Sequence, residues 1–75
     1  MRADQYFVVG DTVARPYTAD GWVVDLHHIM RVVTVGHTLV TVQLPSGATD
    51  IFDCARLVRV NHNGRVLEAN PWMPQ

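Results

Sequence analysis

Seventy-five residues with one cysteine, Cys54, make a single small domain that must hold itself together without an internal disulfide. A formal charge of -1 lacks the basic bias of a strong nucleic-acid binder, and no apolar run is long enough to span a membrane. Charged residues make up 17% of the chain, against about a quarter in ordinary soluble domains, so a second copy or a protein partner is expected to cover part of the surface.

Residues 1–7 read as a lead-in without the apolar core of a signal peptide, and a cytoplasmic location is the default expectation. Gly10-Asp11 introduces a strand over Thr12-Val13-Ala14-Arg15-Pro16, which Pro16 should end or hold at an unpaired edge. Asp20-Gly21 marks a turn, and Trp22 to Leu26 reads as the next strand, with Trp22, Val24 and Leu26 on one face. Residues 27–31 are less regular and fit a continued strand, a bulge or a loop. Val32 to Val35 is β-rich, Gly36-His37-Thr38 turns, and Leu39 to Leu44 is the clearest strand.

Pro45-Ser46-Gly47 forms a hairpin turn into a strand over Ala48 to Phe52. Asp53 is placed to cap a one-turn helix over the residues that follow, Leu57 to enter the core, and Val58-Arg59-Val60 to be the last strand. Residues 62–75 are read as a C-terminal extension in which Trp72 either packs on the domain or a neighbouring subunit or belongs to a disordered tail. Several short strands with Gly and Pro turns indicate a small barrel or sandwich. The strand, helical turn and short strand over residues 48–60 point to a five-stranded SH3-like barrel spanning residues 8–61.

The stretch from Gly10-Asp11-Thr12-Val13 through Pro45-Ser46-Gly47 to Ala55-Arg56-Leu57-Val58-Arg59-Val60-Asn61 resembles the plasmid-borne type II dihydrofolate reductases. The resemblance implies an SH3-like barrel that assembles as a tetramer around one shared pore, where hydride passes from NADPH to a pterin. Arg15 matches the basic residue that attracts anionic ligands in that family. Asp50, Ile51 and Phe52 match its pore-lining glutamine-isoleucine-tyrosine run. Asp50 departs from that run: an ionised carboxylate only accepts hydrogen bonds, and four of them around a pore would repel one another and the cofactor phosphates.

Three functions follow as expectations. The first is an SH3-like interaction or assembly module with no catalytic residue and no cofactor, engaging a partner or second copy through Tyr17, Trp22, Met30 or Trp72. The second is a divergent reductase that binds NADPH through Arg15, Asp50, Ile51 and Phe52. The third is a nucleic-acid-binding barrel with a patch of Arg15, Arg56 and Arg59. No metal site is expected, because Cys54, His27, His28, His37 and His62 form neither a CxxC nor an HExxH pattern. His27 and His28, as neighbours in a strand, would point to opposite faces.

Overall fold

The alternation of Leu39, Val40, Thr41, Val42 and Gln43 is that of a strand with one buried face: Val40 and Val42 are fully buried, while Leu39 and Gln43 are exposed. A computed structural model describes residues 2–18 and 22–68. It contains five strands: β1 (Thr12–Ala14), β2 (Met30–Val35), β3 (Leu39–Gln43), β4 (Thr49–Asp53) and β5 (Val58–Arg59). All neighbouring pairs are antiparallel, in the order β4-β3-β2-β1-β5. Short 3-10 helices span Ala3–Gln5, Leu26–His28 and Cys54–Arg56.

The sheet is open, and this corrects the expected SH3-like barrel. The outer strands β4 and β5 do not pair, and groups on each free edge are engaged elsewhere. On the β5 side the Leu67 N–H donates to the Arg59 carbonyl at 3.0 Å, and Val66 bridges Val60. On the β4 side the Ile51 N–H donates to the carboxylate of its neighbour Asp50 at 2.8 Å. An SH3-like interaction module, its nucleic-acid-binding counterpart and the reductase scaffold all required closure, so none of the three stands on this architecture.

Two apolar clusters hold the sheet. The larger joins Val13, Met30, Val32, Val40, Val42, Cys54 and Leu57 with Ala3 and Phe7 from the N-terminal segment. The Ala3 N–H donates to the His37 carbonyl at 2.7 Å, which docks that segment on the β2–β3 turn. The smaller cluster is Ala14, Val24, Val58 and Val60, with Ile29 and Val66 packed against it. Adjacent residues of a strand face opposite ways, so Val13 in one cluster and Ala14 in the other show β1 covered on both faces.

The expected strand over Trp22 to Leu26 is a single bridge, Pro16 to Val24, followed by the 3-10 helix Leu26–His28. Asp25 caps that helix, its carboxylate accepting from the His27 N–H, which diverts the chain from extended pairing. Val24 is buried and Leu26 is exposed, so Trp22, Val24 and Leu26 do not share a face. The cap expected at Asp53 is present: its carboxylate accepts from the Ala55 N–H at 2.9 Å, and Leu57 behind it is fully buried.

Gly64 closes the 61–65 turn with φ +83 and sits against the Leu26 side chain. A Cβ there would collide with Leu26, and the left-handed backbone would remain strained even if Leu26 swung aside. Gly64→Ala is expected to destabilise the domain by about 1–2 kcal/mol in urea unfolding, with the m-value unchanged.

At the rim of the larger core the Arg59 guanidinium lies 3.3 Å from Asp11 and 2.7 Å from Glu68, with its carbon 5.6 Å from the Tyr6 ring centroid. Burial, with Glu68 nearby, pushes the Tyr6 phenol up to about 12. The unfolded chain releases this proton near pH 10, so its contribution to stability is complete below that pH. It is lost as pH rises through about 12. All six basic residues are arginines, so no lysine titrates in that window. Tyr6→Phe is expected to flatten the fall in stability between about pH 10 and pH 12, read from denaturation midpoints.

Candidate functional site

Beyond Ala14 the chain leaves β1 and forms a short arm. The Tyr17 N–H donates to the Val23 carbonyl at 2.6 Å, and the Asp25 N–H donates to the Arg15 carbonyl at 2.9 Å. The arm thus runs antiparallel to residues 23–25, with the Pro16–Val24 bridge between these bonds. Across from it stand β4 and the 3-10 helix Cys54–Arg56. That helix is fixed by the Asp53 cap, by the Cys54 N–H donating to the Thr38 carbonyl at 2.8 Å, and by the buried Cys54 and Leu57 on either side of its exposed end. Cys54 and Leu57 anchor the turn inward and leave Arg56 exposed.

Between the arm and the helix lies a cleft of about 470 Å³ lined by Arg15, Pro16, Tyr17, Thr18, Phe52, Ala55 and Arg56. Tyr17 is 70% exposed and Phe52 half-buried, so the walls are partly aromatic. Among the described residues neither Arg15 nor Arg56 has a carboxylate within ion-pairing distance. Arg2 and Arg59, by contrast, are paired with Asp4 and with Asp11 and Glu68. Two guanidinium groups without a counter-charge among the described residues, a state that Arg31 and Arg65 share outside the cleft, meet here and favour an anion.

The residues expected to bind a nicotinamide cofactor separate here. Arg15 and Phe52 line the cleft, whereas Asp50 and Ile51 do not. Ile51 pairs with Thr41 and is 60% exposed on the sheet's outer face. Asp50 pairs with buried Val42, which puts it on the core-facing side of β4 at an exposed rim. The run does not converge with Arg15, so the hydride-transfer site is not assembled. The arginine patch also divides: Arg15 and Arg56 share the cleft, while Arg59 is held by Asp11 and Glu68.

Of the expected interaction residues, Tyr17 lines the cleft and Trp22 is 53% exposed beside a second hollow formed with Gly64, Arg65, Val66 and Leu67. Met30 is buried in the larger core, only 2% exposed. Trp72 lies outside the described residues. Among the described residues no three His, Cys, Asp or Glu side chains gather where a metal ion would sit. His28 instead places Nδ1 2.6 Å from the Asp25 carboxylate. Burial pushes the Cys54 thiol up, with the Asp53 charge adding to it, which favours the inert protonated form.

Asp25 was not singled out by the sequence as a functional residue. It is 8% exposed, and its carboxyl is held below the usual range first by the hydrogen bond with His28 and then, against desolvation, by the His27 N–H. The signal available was an aspartate immediately before Leu26-His27-His28, an N-cap position that the alternation of the preceding residues disguised as strand.

The fold and site together define a small all-β domain with an open antiparallel sheet and a cleft lined by Arg15 and Arg56. Comparison with protein-family models, with curated proteins and with solved structures gives no match. No helix among the described residues is long and apolar enough to cross a membrane.

Asp50 acts at the edge of the sheet. In the β3–β4 ladder, Leu44 N–H bonds to the Ala48 carbonyl and Cys54 N–H to the Thr38 carbonyl, so the even-numbered residues of β4 point their amides at β3. The Ile51 amide therefore faces the open edge, where Asp50 takes it. An inward-facing charge that occupies an edge amide blocks pairing with another strand. Asp50→Ala is expected to shift sedimentation toward larger species as concentration rises. A distribution identical to the parent's would show that Asp50 does not protect the edge.

Proposed function

We propose that this chain is a binding domain that takes an acidic, partly aromatic segment of a protein partner into the Arg15–Arg56 cleft. The observation that carries the reading is that Arg15 and Arg56, neither with a counter-charge among the described residues, line one cleft with Tyr17 and Phe52. Guanidinium groups suit carboxylates through paired N–H donors, and aromatic walls suit the flat side chains of a peptide. The β4 edge is a poorer place for that segment, since Asp50 and Asp53 would repel it.

The proposed role is recognition without a chemical step. Among the described residues the lining offers two guanidinium groups, a phenol and a threonine hydroxyl, with no carboxylate or imidazole to act as a general base. A protein partner also fits the low share of charged residues. A cytoplasmic setting belongs to the same proposal, since the lone buried thiol needs no oxidising compartment.

The test is a calorimetric titration with an acetylated, amidated peptide of alternating glutamate and phenylalanine. Saturable binding is expected, weakening several-fold as salt rises from low to high because the contacts are exposed ion pairs. Arg15→Ala and Arg56→Ala should each weaken it by about tenfold, or about 1.4 kcal/mol. A peptide with glutamine in place of glutamate should bind far more weakly. Absence of saturable binding, or equal affinity in the Arg15→Ala/Arg56→Ala double variant, overturns the reading.

A further inference from the structure

We propose that the outer face of the sheet carries a second binding site, for a small phosphate monoester, centred on Arg31. It shares no lining residue with the Arg15–Arg56 cleft, so it stands apart from the binding reading given above. The strand register sets Thr12 of β1 opposite Arg31 of β2, and Arg31 opposite Gln43 of β3. Residues directly opposite in antiparallel strands share a face, with about 5 Å between their Cβ atoms. Their chain neighbours Val13, Met30, Val32 and Val42 all turn into the larger core. Thr12, Arg31 and Gln43 therefore form one polar row on the other side of the sheet.

That row lines a third hollow, of about 340 Å³, and His62 from the 61–65 turn lines it as well. Ile29, packed on the smaller cluster, forms one apolar wall; Leu44 and Pro45, after β3, form another. Among the described residues no carboxylate lines this hollow, and no ion pair or hydrogen bond engages the side chains of Thr12, Arg31 or His62. Gln43 Nε2 comes within 3.5 Å of the Gly47 carbonyl, which is long for a hydrogen bond. A guanidinium, a hydroxyl, an amide and an imidazole thus border one space, each with an N–H or O–H to give.

The spread of these donors selects the ligand. A planar carboxylate is satisfied by the paired N–H groups of one guanidinium. Here the donors stand side by side on three strands. A tetrahedral phosphate has three terminal oxygens, enough to meet the guanidinium, the hydroxyl and the amide together, and it carries more negative charge than a carboxylate. The aliphatic walls of Ile29, Leu44 and Pro45 favour an ester with a small apolar body over the bare ion.

The experiment follows backbone amide chemical shifts of the isotope-labelled protein as n-butyl phosphate, inorganic phosphate or pentanoate is added at low salt. Saturable shifts are expected at Thr12, Arg31, Gln43 and His62. n-Butyl phosphate should bind several-fold more tightly than inorganic phosphate, and pentanoate about tenfold more weakly than n-butyl phosphate. Arg31→Ala should weaken n-butyl phosphate by about tenfold and Thr12→Val by about threefold, while the Arg15→Ala/Arg56→Ala double variant should bind it as the parent does. Arg31 is exposed, so its truncation should leave the sheet intact, with the Val42 amide keeping its protection from hydrogen exchange. Should Arg31→Ala lose that protection, Arg31→Gln keeps a polar stem, removes the charge and decides the question. Shifts that fail to saturate, that centre on Arg15 and Arg56, or that keep the parent's affinity without the Arg31 charge overturn the site. Pentanoate binding as tightly as n-butyl phosphate overturns the choice of ligand. A parent that binds the glutamate–phenylalanine peptide but no phosphate defeats this site and leaves the cleft reading standing.

Discussion

Burial of β1 on both faces is the constraint on which the rest of this structure depends. Val13 and Ala14 are adjacent, point in opposite directions and are both fully buried. A three-residue strand in that position needs apolar cover above and below, and the chain must supply it from outside the sheet. The N-terminal segment gives Ala3 and Phe7 to one side. Val24 and Ile29 before β2, with Val60 and Val66 after β5, cover the other. A domain of this size buries little surface, so each of these loops acts as core.

That demand also shapes the edges and the cleft. Because residues 60–67 fold back to cover the smaller cluster, they run along β5 and take the Arg59 carbonyl. The edge that barrel closure would need is thereby used. β4 is left as the other edge, where Asp50 occupies an amide. The arm after β1 must return toward Val24 to complete the smaller cluster, which holds Arg15 and Tyr17 opposite Phe52 and Arg56. The cleft is thus a consequence of how the second face of β1 is covered.

Much of the strand pattern was legible because it rests on local alternation and turn chemistry. The β2 to β4 ladder, the Pro45-Ser46-Gly47 turn, the Asp53 cap and the burial of Leu57 all follow from residues near one another in sequence. The strand expected at Trp22 to Leu26 failed because Asp25 bonds locally to the His27 amide, a competition that a run of valines and leucine conceals. Met30 read as a surface candidate, yet the β1–β2 register pairs it with Val13 and turns it inward. Of the candidate site, Arg15, Tyr17 and Phe52 were legible as residue types. Their meeting with Arg56, and the separation of Asp50 and Ile51 from them, were not.

The sequence by itself determined a single all-β domain with short antiparallel strands, a capped helical turn before the last of them and a surface poor in charge, because these rest on composition, period and local hydrogen bonding. Only the tertiary structure decided that the sheet stays open, that Arg59 is neutralised by Asp11 and Glu68, and that Arg15 and Arg56 share a cleft without a counter-charge among the described residues. Closure and charge pairing depend on which distant segments reach an edge or a guanidinium first, and neither alternation nor spacing along the chain records that outcome.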